Sequence, residues 1–206
     1  MRAFITGTDT GVGKTFATAL LARALRRAGL DTVALKPVCS GDRRDAEILR
    51  AACDGDLGLD GVNPIWFQMP VAPCLAARRE RRGVSLPALE AWFRSVTAGR
   101  QSVLVEGAGG WLVPLAEGTL IADLAAAFGL PVIVVVANRL GCINHALLTV
   151  ESIRSRGLEC RGLILNSPDR DSAEGLENRS LLEEFAGVPV LFEITPGQRE
   201  IELAVA

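Results

Sequence analysis

A doubly wound α/β fold, with a mostly parallel sheet of about six or seven strands and helices on both faces, is predicted by three observations. Apolar stretches of strand length alternate along the chain with stretches of helical pattern. Most of the strand candidates are continuous apolar runs, as expected where both faces of a parallel sheet are covered. Gly29, Gly129, Gly157 and Gly187 each fall where a helix should stop.

The strand candidates are residues 3–5, 32–35, 102–105, 132–137, 163–165 and 188–192, and the helix candidates are 15–27, 45–52, 86–97, 121–128, 144–156 and 174–185. The run Ala3-Phe4-Ile5 opens the sheet, and the alanine- and leucine-rich stretch after Thr15 is the first helix. Residues 32–35 end at Lys36-Pro37, where proline stops the ladder. Residues 132–137 form the strongest strand. Residues 54–82, with Gly, Pro and scattered aromatics, are the least readable and fit a long excursion on the substrate side. With no repeat, low-complexity segment or linker in view, residues 1–206 are expected to form one domain.

Composition narrows the function. With 49% apolar residues, 22% charged residues and a formal net charge of −2, neither disorder nor a polyanion-binding surface is indicated, so nucleic acid is not an expected partner. No apolar run reaches the about eighteen residues a membrane span needs, and no signal-peptide pattern precedes the first strand. The five cysteines, Cys39, Cys53, Cys74, Cys142 and Cys160, are widely spaced and odd in number, which points to neither a disulfide framework nor a zinc site. A cytoplasmic location without membrane contact is expected.

The chain is organised around Gly7-Thr8-Asp9-Thr10-Gly11-Val12-Gly13-Lys14-Thr15. A strand enters this glycine-rich turn and a helix leaves it, which is the context of a phosphate-binding loop. Glycines let backbone N–H groups turn inward around a polyphosphate, and the helix N-terminus adds positive charge at that point. Lys14 would reach the terminal phosphates and the Thr15 hydroxyl would take a place on Mg²⁺. A plain glycine turn would not require Lys-Thr at the helix start. Together with the sheet this predicts a P-loop NTPase-like fold.

Ligands of such sheets gather at the carboxyl ends of the strands. Lys36, before Pro37, is placed to aim at the phosphate loop, although a solvated lysine is the bland alternative. Glu106, at the tip of an apolar strand, stands where Mg²⁺ is held, and Gly107, Gly109 and Gly110 beyond it would let backbone approach a ligand. Asp45 is either a first-turn acid of its helix or, with Thr15 and Glu106, part of an oxygen-rich metal site. The turn Leu140-Gly141-Cys142-Ile143-Asn144 runs into a helix N-terminus suited to a carboxylate, with His145 read as packing or capping. Asn166, in Asn166-Ser167-Pro168, stands where a base can be read, or serves only its own turn.

The segments Gly7-Thr8-Asp9-Thr10, Lys36-Pro37-Val38, Val105 to Trp111 and Leu140 to His145, in this order over nearly the whole chain, resemble the dethiobiotin synthetase family. The resemblance implies a homodimeric, Mg²⁺- and ATP-dependent cyclo-ligase of biotin biosynthesis. In it 7,8-diaminononanoate is carbamylated by CO₂, the carbamate is phosphorylated, and the free amine closes the cyclic urea. It implies nucleotide binding by Asp9, Thr10, Gly11, Val12, Gly13, Lys14, Thr15, Phe16 and Asn166, the last at adenine. Lys14, Lys36, Thr10 and Ser40 would serve catalysis, the lysines neutralising charge and the hydroxyls holding phosphate or carbamate oxygens. Thr15, Asp45 and Glu106 would carry the metal. Ser40, Glu106, Gly107, Ala108, Gly109 and Gly110 would meet the substrate, and Leu140, Gly141, Cys142 and Asn144 would receive its carboxylate from the neighbouring protomer.

The chain departs from the family in having Gly11 where Glu is frequent and Arg139 where Lys is frequent. The stretch 191–196 is a loose version of the family's Gly-x-Ile-Pro turn. Base-side contacts and nucleotide preference are the features these departures bear on. The competing class is a ParA- or MinD-like ATPase switch that binds partners. Such switches carry a lysine near the start of the loop, where this chain has Asp9. The ATP-using half of a cobyrinic-acid-type amide synthetase would need a further catalytic domain.

Overall fold

A computed structural model of the chain describes residues 1–167 and 173–202. Pro168 lies outside them. In chain order the elements are β1 (Arg2–Gly7), α1 (Lys14–Arg27), β2 (Thr32–Leu35), β3 (Val38–Ser40), α2 (Arg44–Ala52), α3 (Leu59–Val62), β4 (Ile65–Phe67), α4 (Pro73–Arg79), α5 (Leu86–Thr97), β5 (Ser102–Glu106), β6 (Pro114–Ala116), β7 (Thr119–Leu120), α6 (Ile121–Phe128), β8 (Val132–Ala137), α7 (Cys142–Ser155), β9 (Cys160–Asn166), α8 (Ala173–Ala186) and β10 (Val190–Ile194).

Six strands form one sheet in the order β10-β9-β8-β1-β5-β2, and every pairing in it is parallel. Alternate residues of each strand feed two cores. Phe4, Val103, Val105, Val132, Val134, Val136, Leu163 and Leu165 pack with residues of α5, α6, α7 and α8. Ala3, Ile5, Leu104, Ile133, Val135 and Ile164 pack with α1 and α2 on the other face. A strand that must be apolar on both sides reads as an unbroken run, which is why the sequence pattern was continuous. All six carboxyl ends lie at one edge of the sheet, and that edge carries the candidate site.

Several expected boundaries move for local reasons. β5 includes Glu106, opposite Ile5, so this side chain is fixed by the ladder instead of following it. The strand expected at 188–192 begins at Val190, because Pro189 has no N–H to give to a ladder. α7 begins at Cys142, two residues before the expected start, because Gly141 adopts φ 88° as its N-terminal cap. The excursion at 54–82 contains α3, β4 and α4, and β4 pairs in parallel with β3 in a separate two-stranded sheet.

Candidate functional site

Gly13, at φ 92°, turns the chain into α1, so the loop closes directly onto the helix N-terminus. Within the loop the Thr10 N–H donates to Asp9 Oδ1 at 2.6 Å, and Lys14 Nζ donates to the Asp9 carbonyl at 2.8 Å. Lys14 is buried, and burial followed by the nearby charge of Lys36 lowers its pKa to about 8. Gly11 is exposed at φ 75° with open space around it, so a larger residue there would meet backbone strain and no collision.

Lys36 is 3% exposed, which removes the solvated-lysine alternative. Its ammonium donates to Glu106 Oε1 at 2.5 Å, to Asp45 Oδ2 at 2.9 Å and to the Gly107 carbonyl at 3.2 Å. Burial favours its neutral form, but Glu106 and Asp45 outweigh that and raise its pKa above the ordinary lysine value. Burial likewise pushes the Asp45 carboxyl up, yet Lys36 and the Thr15 hydroxyl hold it below its usual range. Asp45 is therefore more than a first-turn acid of α2.

The Thr15 hydroxyl donates to Glu106 Oε1 at 2.9 Å, while Glu106 Oε2, on a residue only 1% exposed, has no hydrogen-bond partner. A buried carboxylate oxygen without a donor is costly unless a cation meets it. Among the described residues no group of three or more His, Cys, Asp or Glu gathers for a metal. The donors that do converge, two carboxylates and a hydroxyl, are hard oxygens of the kind Mg²⁺ takes together with water and phosphate. The set fits the ion, and the Lys36 ammonium already balances part of the charge of the two carboxylates.

Beside these groups lies a cavity of about 450 Å³ lined by Thr10, Lys36, Ser40, Asp45, Ala108 and Gly109, as well as Val38, Cys39, Asp42, Val113 and residues 70–73. The lining divides between polar groups and the apolar Val38, Pro70, Val71, Ala72, Pro73 and Val113. Ser40 Oγ is buried with no partner. Four of these six apolar residues come from the 54–82 excursion, which the sequence places on the substrate side. A larger hollow of about 560 Å³, lined by Arg23, Arg26 and Arg27 beside Gly29 and Asp31, lies away from these groups, and Arg26 there is already paired with Asp54 and Asp56.

Other expected site residues lie outside the lining of this cavity. A side chain on Gly107 would strike Ile121 at 2.9 Å and Phe4 at 3.1 Å, so packing alone already requires a glycine here. Gly110 lies against the phosphate loop itself, where an added carbon would sit 3.6 Å from the Gly7 carbonyl. Phe16 is exposed at the start of α1. Leu140, Gly141 and Asn144 are exposed and His145 with them, none of them lining the cavity. The Cys142 thiol points inward, 3.9 Å from Asn138 Oδ1. Asn166 ends β9 next to the loop, and its amide donates to the Val12 carbonyl at 3.0 Å.

Loop, lysines and oxygen donors at one sheet edge define a P-loop nucleotide-binding protein, and a family model described as AAA domain matches residues 1–199. Solved structures of similar shape include the cell division ATPase MinD of Pyrococcus furiosus, with TM-score 0.64 and 18% identity over 95% of this chain and 84% of that one. The septum site-determining protein MinD complexed with Mg-ADP from Pyrococcus horikoshii OT3 aligns with TM-score 0.60 and 19% identity, covering 95% of this chain and 82% of that one. At that identity the likeness is one of fold alone. The ATP-dependent dethiobiotin synthetase BioD of Akkermansia muciniphila is 44% identical over all of this chain and 97% of its own length. That of Anaeromyxobacter sp. strain Fw109-5 is 51% identical over 79% of this chain and 75% of its own length. The chain belongs to the family of ATP-dependent dethiobiotin synthetases.

Proposed function

We propose that this protein closes the ureido ring of dethiobiotin in biotin biosynthesis, using ATP, Mg²⁺, CO₂ and 7,8-diaminononanoate. Family membership supports the reaction, and one observation carries the reading: Lys36 and Asp45, tied through Glu106 to Thr15, line a cavity whose lining divides between polar groups and apolar side chains. A diamine with a long aliphatic chain suits that division, its amino end at the charged groups and its methylenes on Val38, Val71 and Val113.

In this reading a carbamate formed on one amine attacks the terminal phosphorus of ATP and ADP leaves. The second amine then adds to the carbamic-phosphoric anhydride and expels phosphate as the ring closes. Phosphoryl transfer of this kind needs alignment and charge neutralisation rather than a nucleophilic side chain. Lys14 holds the terminal phosphates, and Lys36 bridges the carbamate and the transferring group. Thr10 and the unpartnered Ser40 hydroxyl donate to carbamate or phosphate oxygens. Thr15, Asp45 and Glu106 would hold Mg²⁺, which when bound would neutralise charge on the phosphates. The 140–144 turn would bind the substrate carboxylate in a homodimer, where a second copy brings it to the cavity. The enzyme would work in the cytoplasm.

The test is direct. Purified protein with ATP, Mg²⁺, bicarbonate and the diamine should yield dethiobiotin by mass spectrometry. ATP hydrolysis indifferent to the diamine would replace this reading with that of a nucleotide switch.

A further inference from the structure

Asn166 is held from both sides. Its carbonyl accepts the Asn138 N–H at 2.8 Å, and its side-chain nitrogen donates to the Val12 carbonyl at 3.0 Å. That nitrogen packs so closely on the loop that a carbon added to Gly13 would lie 2.2 Å from it. The neighbouring Ser167, which is buried, donates its N–H to the Ile194 carbonyl at 2.8 Å and its hydroxyl to the Glu193 carboxylate. Asn138 Nδ2 donates to that same hydroxyl at 2.9 Å, and Asn178 of α8 donates to Asn138 Oδ1 at 2.8 Å. The carboxyl ends of β8, β9 and β10 are thus tied into one polar block, and Asn166 is where the block grips the loop.

We propose that Asn166 is a positioning residue that braces the phosphate loop, so that it strengthens binding at the triphosphate end of the nucleotide whatever it does at the base. The reason is the planarity of the peptide unit. The Val12 carbonyl and the Gly13 N–H lie on opposite sides of one trans peptide, so fastening the carbonyl outward fixes the N–H inward. A phosphate loop binds by such inward N–H groups, and the left-handed Gly13 has no side chain to hold its own peptide plane. An anchor on the carbonyl supplies what the glycine lacks.

The inference rests on the nucleotide-dependent reading of the site, and its test needs neither diamine nor turnover. Inorganic tripolyphosphate carries no base. Its affinity, measured by calorimetry, should fall roughly three- to tenfold in Asn166→Ala, the range of one hydrogen bond. ATP, GTP and CTP should weaken by a similar factor, with KM for ATP rising more than kcat falls. If Asn166→Ala unfolds, Asn166→Leu keeps the branched shape without the donor and should show the same loss at a near-normal melting temperature. Wild-type affinity for tripolyphosphate in whichever variant folds overturns the brace and leaves Asn166 a reader of the base. Loss of tripolyphosphate binding in a protein that makes no dethiobiotin would leave the brace standing and defeat only the proposed reaction.

Discussion

Lys36 is a buried cation between two carboxylates, and this arrangement makes its removal informative in two ways. Lys36→Ala should lower kcat by about a hundredfold or more, the scale of one charge-stabilising donor, with ATP affinity largely kept. It should also destabilise the protein by about 3–5 kcal/mol, because Glu106 and Asp45 are left without their counter-ion. Added Mg²⁺ should recover much of that loss in a thermal melt. Wild-type turnover, or melting indifferent to Mg²⁺, would show that the three groups do not share one charge balance. Glu106→Gln should raise the Mg²⁺ concentration for half-maximal activity by at least the roughly tenfold that even outer-shell partners carry. Lys14 supplies a pH signature. Its folded pKa of about 8 lies below the ordinary lysine value, so above that pH the free amine is largely neutral. Bound phosphate favours the ammonium, so nucleotide binding should take up protons near pH 8.5 and weaken as pH rises further. Calorimetry in two buffers of different ionisation enthalpy measures that uptake; its absence would place Lys14 away from the phosphates.

At the scale of elements, the phosphate loop and the end of β9 act as one piece. Gly13→Ala would put a side chain at φ 92° and against the Asn166 amide, which costs about 1–2 kcal/mol for the backbone alone and displaces the anchor besides. A lower melting temperature and lost ATP binding are the expected outcome, and binding as in the wild type would mean the loop tolerates another shape. This coupling also marks the limit of what the sequence disclosed. Lys14-Thr15 after a glycine turn, and the unbroken apolar runs, are local signals, and they placed the loop and the six strands of the sheet. The contact between Asn166 and Val12 spans 154 positions and leaves no local trace. Gly107 is similar: the need for a small residue there comes from Phe4 and Ile121, which only the packing reveals. In residues 54–82, β4 has three residues and α3 four, too short for any period to show, so the sequence puts this excursion on the substrate side without marking residues 70–73 as the ones that line the cavity.

At the scale of the whole molecule, the cavity and the 140–144 turn pose a problem of distance. The proposed carboxylate site includes Leu140, which is 87% exposed, and the turn does not line the cavity of its own chain. Leu148, also exposed, shares a face of α7 with Ser152, one turn further along. Trp111 Nε1 donates to Ser152 Oγ at 3.2 Å, which brings the turn with exposed Leu112 to the same helix. Large apolar side chains exposed along α7 and beside it are what a two-fold interface would cover, each copy lending its 140–144 turn to the other's cavity. The protein should therefore run in solution at twice its chain mass of 21.9 kDa, as read by light scattering. Leu148→Glu should shift that mass to one chain, because a charge on a buried apolar patch opposes association. The same change should raise KM for the diamine about tenfold or more, the weight of a lost charged contact, and leave tripolyphosphate affinity alone, since the phosphate loop is complete within one chain. A monomer that retains a normal KM for the diamine would mean that the carboxylate is bound elsewhere, on groups already present around the 450 Å³ cavity.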